Sequence, residues 1–205
     1  MADEQPAANN ADATPRKRPK PGERRIQILQ ALAAMLEQPG SERVTTAALA
    51  AKLEVSEAAL YRHFASKAQM FEGLIEFIET SVFSLLNQIA QGPHEAPDKL
   101  RRMLTVLLQF AERNPGMARV MVGDALVFEN DRLHQRMNLF FDKVEASLRQ
   151  VLRDAASTSA TPTVDAQAQA SVAVAFAVGR LHRFARSGYK RSPLEYLDTS
   201  LNFLI

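Results

Sequence analysis

The 205-residue chain has no cysteine, which excludes disulfides and thiolate metal sites and allows a reducing cytoplasm. It has no apolar run long enough to span a bilayer, and its first residues lack the apolar core of a signal peptide. A cytoplasmic protein without a membrane partner is the expectation. No segment alternates with the period of a strand, so the fold is expected to be all-α. A Gly-rich phosphate loop and a nucleophile elbow are both missing. The four histidines, His63, His94, His134 and His182, do not stand at metal-ligand spacing with one another or with carboxylates on one face. The sequence therefore offers no cluster for an enzyme, a metal or a cofactor. Charge of one sign is also scarce, with a formal net of only +2. Its placement says more than its total.

What is present is ordinary globular material, 46% hydrophobic and 23% charged, in a chain long enough for a buried core. Residues 1–15 are rich in Ala, Asn, Asp and Pro and cannot bury a core. Arg16, Lys17, Arg18 and Lys20 follow, broken by Pro19 and Pro21, which block a helix. Residues 1–21 thus read as a disordered basic arm. It is either a solvated tail or a strap that neutralises phosphates beside a DNA reader. Glu23 to Glu37 reads as a helix with Ile26, Leu29, Leu32, Ala33 and Leu36 as its apolar stripe. A loop from Gln38 to Arg43 follows.

The most informative stretch runs from Thr45 to Lys67, TTAALAAKLEVSEAALYRHFASK. Thr45 can cap a first short helix, with Val44 and Leu49 as the hydrophobic staple around it. Ser56 repeats the device for a second helix, with Val55 stapled onto Leu60. Leu60 and Phe64, one turn apart, face inward and turn Glu57, Ala58, Tyr61 and Arg62 outward. Ser66 opens a third helix with Gln69 in the capping-box position. Two short helices in this order, the second with a polar and aromatic outer face, form the pattern of a helix-turn-helix DNA reader. Capped helix pairs also occur in any helical bundle. If the turn puts Glu54 in a left-handed backbone, the strain is roughly 1 kcal/mol.

Beyond the reader the chain reads as further helices. The one opening at Ser66 runs to about Gln91 with Phe71, Leu74, Ile75, Ile78, Val82, Leu85 and Ile89 as its stripe, and Phe77 on the flank with Met70 and Gly73. Asp98 to Asn114 buries Leu100, Met103, Leu104, Leu107 and Ala111. Its opposite face aligns Arg102, Val106, Gln109 and Arg113, by periodicity alone a solvated face. Pro115 starts a short helix to about Gly123. A long helix from about Leu126 to Arg153 repeats Met137, Phe141, Val144, Leu148 and Val151 by four and three. Ala155 to Thr163 reads as a loop. Asp165 to Ser187 is helical and rich in Ala, with Val174, Ala177, Val178, Leu181 and Phe184 apolar. Ser192, Pro193 and Glu195 form a helix start that Leu197, Leu201 and Leu204 continue. The division is a basic arm (1–21), a helix-turn-helix DNA-binding domain (22–68) and a helical dimerisation and partner-binding domain (69–205).

The wording of the reader adds to its pattern. LAAKLEVSEAALYRHFASKAQMF closely resembles the DNA-binding signature of the TetR family of bacterial regulators, in which the turn carrying Glu54 often has Gly. The resemblance implies a homodimer joined by the last two long helices of each subunit in a four-helix contact. Such a dimer sets two copies of the Ser56 to Phe64 helix about 34 Å apart, so that it reads an inverted repeat in double-stranded DNA. Thr45, Thr46, Tyr61 and Lys67 are then placed to hold phosphates. Glu57, Ala58 and Arg62 are placed for base edges, Ala58 at a thymine methyl, and His63 for either.

From Arg24 to about Arg153 the likeness extends further, most distinctively in ERNPG and the following ALVFENDRL, to the nucleoid occlusion factors within that family. After Ala155 it is weaker. This second resemblance implies a nucleoid-associated protein that, on palindromic chromosomal sites, antagonises the tubulin-like division protein FtsZ without a small-molecule inducer. It also implies that the FtsZ tail docks between the fourth and fifth helices. Phe77, Arg113 and Asn114 match that pattern, with Arg102, Val106 and Gln109 on the same helix face. A basic residue and a glycine are usual in the family where this chain has Leu85 and Gln109. The rival reading is a ligand-responsive TetR-type repressor with an apolar pocket lined by Met103, Phe110, Met121, Phe128, Phe140 and Phe176.

Overall fold

The computed structural model describes residues 22–38, 43–158 and 166–205. The arm residues Arg16, Lys17, Arg18 and Lys20 lie outside the described residues, as do most of the Gln38 to Arg43 loop and the stretch 159–165. The described residues are helical and contain no strand. In chain order the helices are α1 (Glu23–Leu36), α2 (Thr46–Lys52), α3 (Glu57–Tyr61), α4 (Lys67–Ala90), α5 (Ala96–Arg113), α6 (Pro115–Met121), α7 (Asp131–Thr158), α8 (Ala166–Arg186) and α9 (Leu197–Asn202), with a 3-10 turn at Asp124–Leu126 before α7.

Local chemistry sets the first boundaries. The Thr45 hydroxyl accepts from Ala48 N at 3.1 Å, Ser56 from Ala59 N at 3.3 Å and Ser66 from Gln69 N at 3.2 Å, so each satisfies an amide that its helix leaves free. The box at Ser66 closes one residue early, because Gln69 Oε1 accepts from Ala65 N rather than from Ser66 N. Glu54 has φ 53, the left-handed conformation that the turn between α2 and α3 demands. Val44, Leu49, Leu60 and Phe64 are buried together.

α4 joins these helices to the rest, packing on α1 at one end and on α5 and α7 along its length. Its buried face is Phe71, Leu74, Ile75, Ile78, Val82 and Leu86, with Met70 added. Leu85 is not part of it. Ile75 and Leu86 stand eleven residues apart and differ by only about 20° on the wheel, so the stripe continues through Leu86 and turns Leu85 outward. Met70 and Gly73 share a flank with Phe77, but Met70 is buried and α1 covers Gly73: Leu29 lies 3.1 Å from where a Gly73 Cβ would stand. Phe77 lies past that cover and is 50% exposed. On α1 itself Ile28, Leu32 and Leu36 are buried and Ile26 is exposed, since the i, i+4 row through Leu32 selects Ile28.

Other boundaries differ from expectation. α6 stops at Met121, and Gly123 takes φ 84 beyond it. Leu126 sits in the 3-10 turn, and α7 opens at Asp131, where Asn130 Oδ1 accepts from Arg132 N at 3.1 Å. Phe140 takes the buried place expected for Phe141, which packs edge-on against it at 5.1 Å. α7 runs on to Thr158, through the first part of the expected loop. Ser192 accepts from Leu194 N at 3.1 Å, but it caps only a turn. Tyr196 has φ 53, and α9 begins after it with Leu197.

Two features fasten the first helices to the rest. The Leu36 carbonyl at the end of α1 accepts from Arg119 Nη1 at 3.2 Å and from Tyr189 Oη at 3.1 Å. Burial pushes the Tyr189 phenol above its ordinary range, so it stays a donor. At Gly116 the backbone of α6 lies directly on α1, and a Cβ there would stand 2.3 Å from the Ala33 carbonyl oxygen. Farther along, Arg136 of α7 grips Glu79 of α4 through Nε at 3.1 Å and Nη2 at 2.6 Å. The hydrogen bond to Glu79 raises the Arg136 pKa.

Glu54→Gly is expected to raise stability by about 1 kcal/mol in urea unfolding, since glycine adopts this backbone without strain. Gly116→Ala is expected to lower it by roughly 2 kcal/mol, because the added methyl meets backbone that cannot swing aside.

Candidate nucleic-acid interface and flanking groove

With Leu60 and Phe64 buried, α3 presents Glu57, Ala58, Tyr61 and Arg62 to solvent, as its spacing predicts. Thr45 and Ser56 are exposed at the helix starts, and Thr46 and His63 are half-buried. Thr46 and Glu57 are brought together: Thr46 Oγ1 donates to Glu57 Oε2 at 2.5 Å. Each cap accepts through its oxygen and keeps a hydroxyl proton to donate. Arg25 of α1 braces α3 from behind. Its guanidinium lies 4.1 Å from the Phe64 ring centroid and donates to the His63 carbonyl. Sequence reasoning missed Arg25, whose only local signal was a cation in the first helical turn.

Lys67 stands apart from the other eight. Its ammonium is ion-paired with Glu129, in the loop before α7, and lies 5.6 Å from the Phe71 ring. In this conformation it serves as a tie between α4 and that loop rather than as a free cation facing outward.

The second surface lies between α4 and α5. Phe77 of α4 and Phe110 of α5 meet with ring centroids 6.1 Å apart and planes tilted by 42°. Arg102 and Arg113 are exposed on α5, with Val106 and Gln109 half-exposed between them. Asn114 Nδ2 donates to the Phe110 carbonyl at 2.7 Å, which satisfies a carbonyl left free at the helix end. Leu85, about two turns beyond Phe77 on α4, is 41% exposed. ERNPG is the corner of the groove: α5 ends at Arg113, Asn114 turns, and Pro115 and Gly116 start α6 against α1.

Five of the six residues of the rival pocket lie in or against one apolar core. Met103, Met121 and Phe140 are core, Phe110 belongs to the groove, and Phe128 is exposed. Phe176 lies under the Arg180 guanidinium at 5.1 Å. An open cleft of about 1020 Å³ is lined by Asn87, His94, Lys99, Gln150 and Ile205 among others, and by none of these six. Among the described residues no cluster of His, Asp or Glu is suited to a metal ion, and no helix is long and apolar enough to cross a membrane.

Comparison with known proteins adds to the geometry. Residues 28–74 match the model of bacterial regulatory proteins of the tetR family, and residues 95–205 match that of the SlmA-like, tetracyclin repressor-like C-terminal domain. The latter match runs through the region after Ala155. The nucleoid occlusion factor SlmA of Colwellia psychrerythraea is 48% identical over 194 residues, 94% of this chain and 98% of that protein. That of Yersinia enterocolitica is 50% identical over 85% of this chain and 89% of its own length. Among solved structures, the fatty acid degradation regulator FadR of Bacillus halodurans superposes with a TM-score of 0.73 at 14% identity, covering 91% of this chain and 96% of that one. The TetR family regulator PfmR of Thermus thermophilus gives 0.71 at 20% identity, covering 87% and 96%. These two show a shared fold. With relatives near half identity along almost its whole length, the chain belongs to the SlmA family of nucleoid occlusion factors, a branch of the TetR-type DNA-binding regulators.

Proposed function

We propose that this protein binds inverted-repeat chromosomal DNA as a homodimer and, while bound, antagonises assembly of the FtsZ ring over the nucleoid. The observation that carries the second half is the exposed surface between α4 and α5. An exposed Phe77 beside Phe110, with Arg113 in solvent at the end of α5, suits a short tail bearing apolar and acidic residues. Phe77, Arg102, Val106, Gln109, Arg113 and Asn114 would receive it. With Leu85 and Gln109 where the family has a basic residue and a glycine, the contact would rely more on the aromatic pair and on Arg113.

For DNA, Thr45, Thr46 and Tyr61 would hold phosphates and Lys67 would join them after leaving Glu129. Ser56 would fix the start of α3, whose Glu57, Ala58 and Arg62 would face base edges, with His63 beside them. The arm residues Arg16, Lys17, Arg18 and Lys20 would add sequence-independent phosphate contacts. In the dimer, α7 and α8 of each subunit would form the contact. Ala168, Val172, Ala175 and Gly179 share one exposed face of α8, and a Cβ at Gly179 would meet nothing within 4 Å. That bare face suits a second helix at short distance.

FtsZ polymerisation, followed with and without a palindromic duplex recovered by chromosomal pulldown, tests the groove. Arg113→Asp is expected to abolish the antagonism while DNA affinity stays at the wild-type value; loss of both would count against a separate protein-binding surface. Thr45→Ala and Tyr61→Phe are each expected to weaken DNA binding about tenfold, the worth of a hydrogen bond to a charged oxygen. Unchanged affinity in titrations with that duplex would remove these two residues from the interface.

A further inference from the structure

Two of the groups assigned to DNA phosphates already face an anionic oxygen of the chain itself. Lys67 Nζ is ion-paired with Glu129 Oε1, and Thr46 Oγ1 donates to Glu57 Oε2. A carboxylate and a phosphate diester offer such donors the same partner, a negatively charged acceptor. Neither pair is a by-product of helix spacing. Glu129 is 62 residues from Lys67 and lies in the loop before α7, while Glu57 reaches Thr46 across the turn between two helices. The Lys67 pair is the more enclosed, with side chains 18% and 9% exposed. A phosphate therefore gains the Lys67 ammonium by displacing Glu129.

We propose that Glu129 is a built-in competitor of DNA phosphate that keeps Lys67 occupied until the backbone of a bound duplex displaces it, as Glu57 does for Thr46. The proposal rests on the reading that Lys67 is a phosphate ligand. Because phosphate contacts carry no sequence information, such a competitor weakens binding to every sequence alike. It lowers occupancy of the many random sites on a chromosome and leaves discrimination to Glu57, Ala58 and Arg62. Glu57 has the additional property that turning to a base edge frees Thr46 for the backbone.

A random-sequence duplex is a sufficient probe, and fluorescence anisotropy across a salt series reads both affinity and counterion release. Lys67→Gln is expected to weaken binding and to reduce the slope of log K against log salt by about 0.9 for each phosphate that is no longer neutralised. Glu129→Gln is expected to tighten binding roughly fivefold or more, since a charge-assisted hydrogen bond no longer has to be broken. Glu129→Asp keeps the charge but draws the carboxylate back by one methylene, and is expected to tighten binding as well. In the Lys67→Gln background neither change at Glu129 has an effect, and that doubly neutral variant also guards against misfolding from an unpaired lysine. Tightening by Glu129→Gln but not by Glu129→Asp would mean general charge repulsion and overturn the proposal. Weaker binding by both would mean that Glu129 positions Lys67 for DNA, and would overturn it too. If Lys67→Gln changes neither affinity nor slope, the phosphate role of Lys67 fails first and the competitor with it.

Discussion

The carbonyl end of α1 is the joint on which the arrangement depends. A helix end leaves carbonyls without partners, and here Arg119 and Tyr189 both donate to the Leu36 carbonyl from elements more than eighty residues downstream. Gly116 lets the backbone of α6 rest on the same turn of α1. Through Arg25, α1 then supports the ring of Phe64 and the carbonyl of His63 behind the outward face of α3. The orientation of the exposed side chains of α3 is therefore referred to the larger helical body rather than to the three short helices alone. A five-residue α3 is too short to be stable by itself, and this bracing is what fixes it.

ERNPG gains its meaning from that joint. Arg113 and Asn114 finish the groove, and two residues later Gly116 touches α1. One short corner therefore links the surface between α4 and α5 to the joint behind α3. The side chains of Ser192 and Glu112 close the opposite flank of the same corner by a hydrogen bond.

Much of this was legible in the sequence wherever the cause was local. Thr45, Ser56 and Ser66 cap as their positions require, because capping is decided within three residues. The buried Leu60 and Phe64 and the outlying Phe77 were likewise readable from spacing, whereas the left-handed Glu54 was only a condition suggested by the family's usual Gly. Errors arose where the helical wheel had to be carried across several turns, as for Ile26 and Leu85, or where a neighbouring helix covered a flank, as at Gly73. A capped turn and a capped helix share a signature at Ser192, and only the left-handed Tyr196 separates them. The partners of Lys67, Arg25, Gly116 and Tyr189 were not legible. Each is fixed by chain packing over long sequence separations, which no local pattern encodes.

α4 is one uninterrupted rod of 24 residues, and its length has a mechanical consequence. Lys67 at its tip and Leu85 along its side are separated by about 27 Å at the standard rise, so a tilt of about 5° pivoting near the tip shifts the far position by roughly 2 Å. Small rotations at the foot thus reappear, magnified, beyond the aromatic pair. The ion pair of Arg136 with Glu79 ties α4 to α7 partway along the shaft.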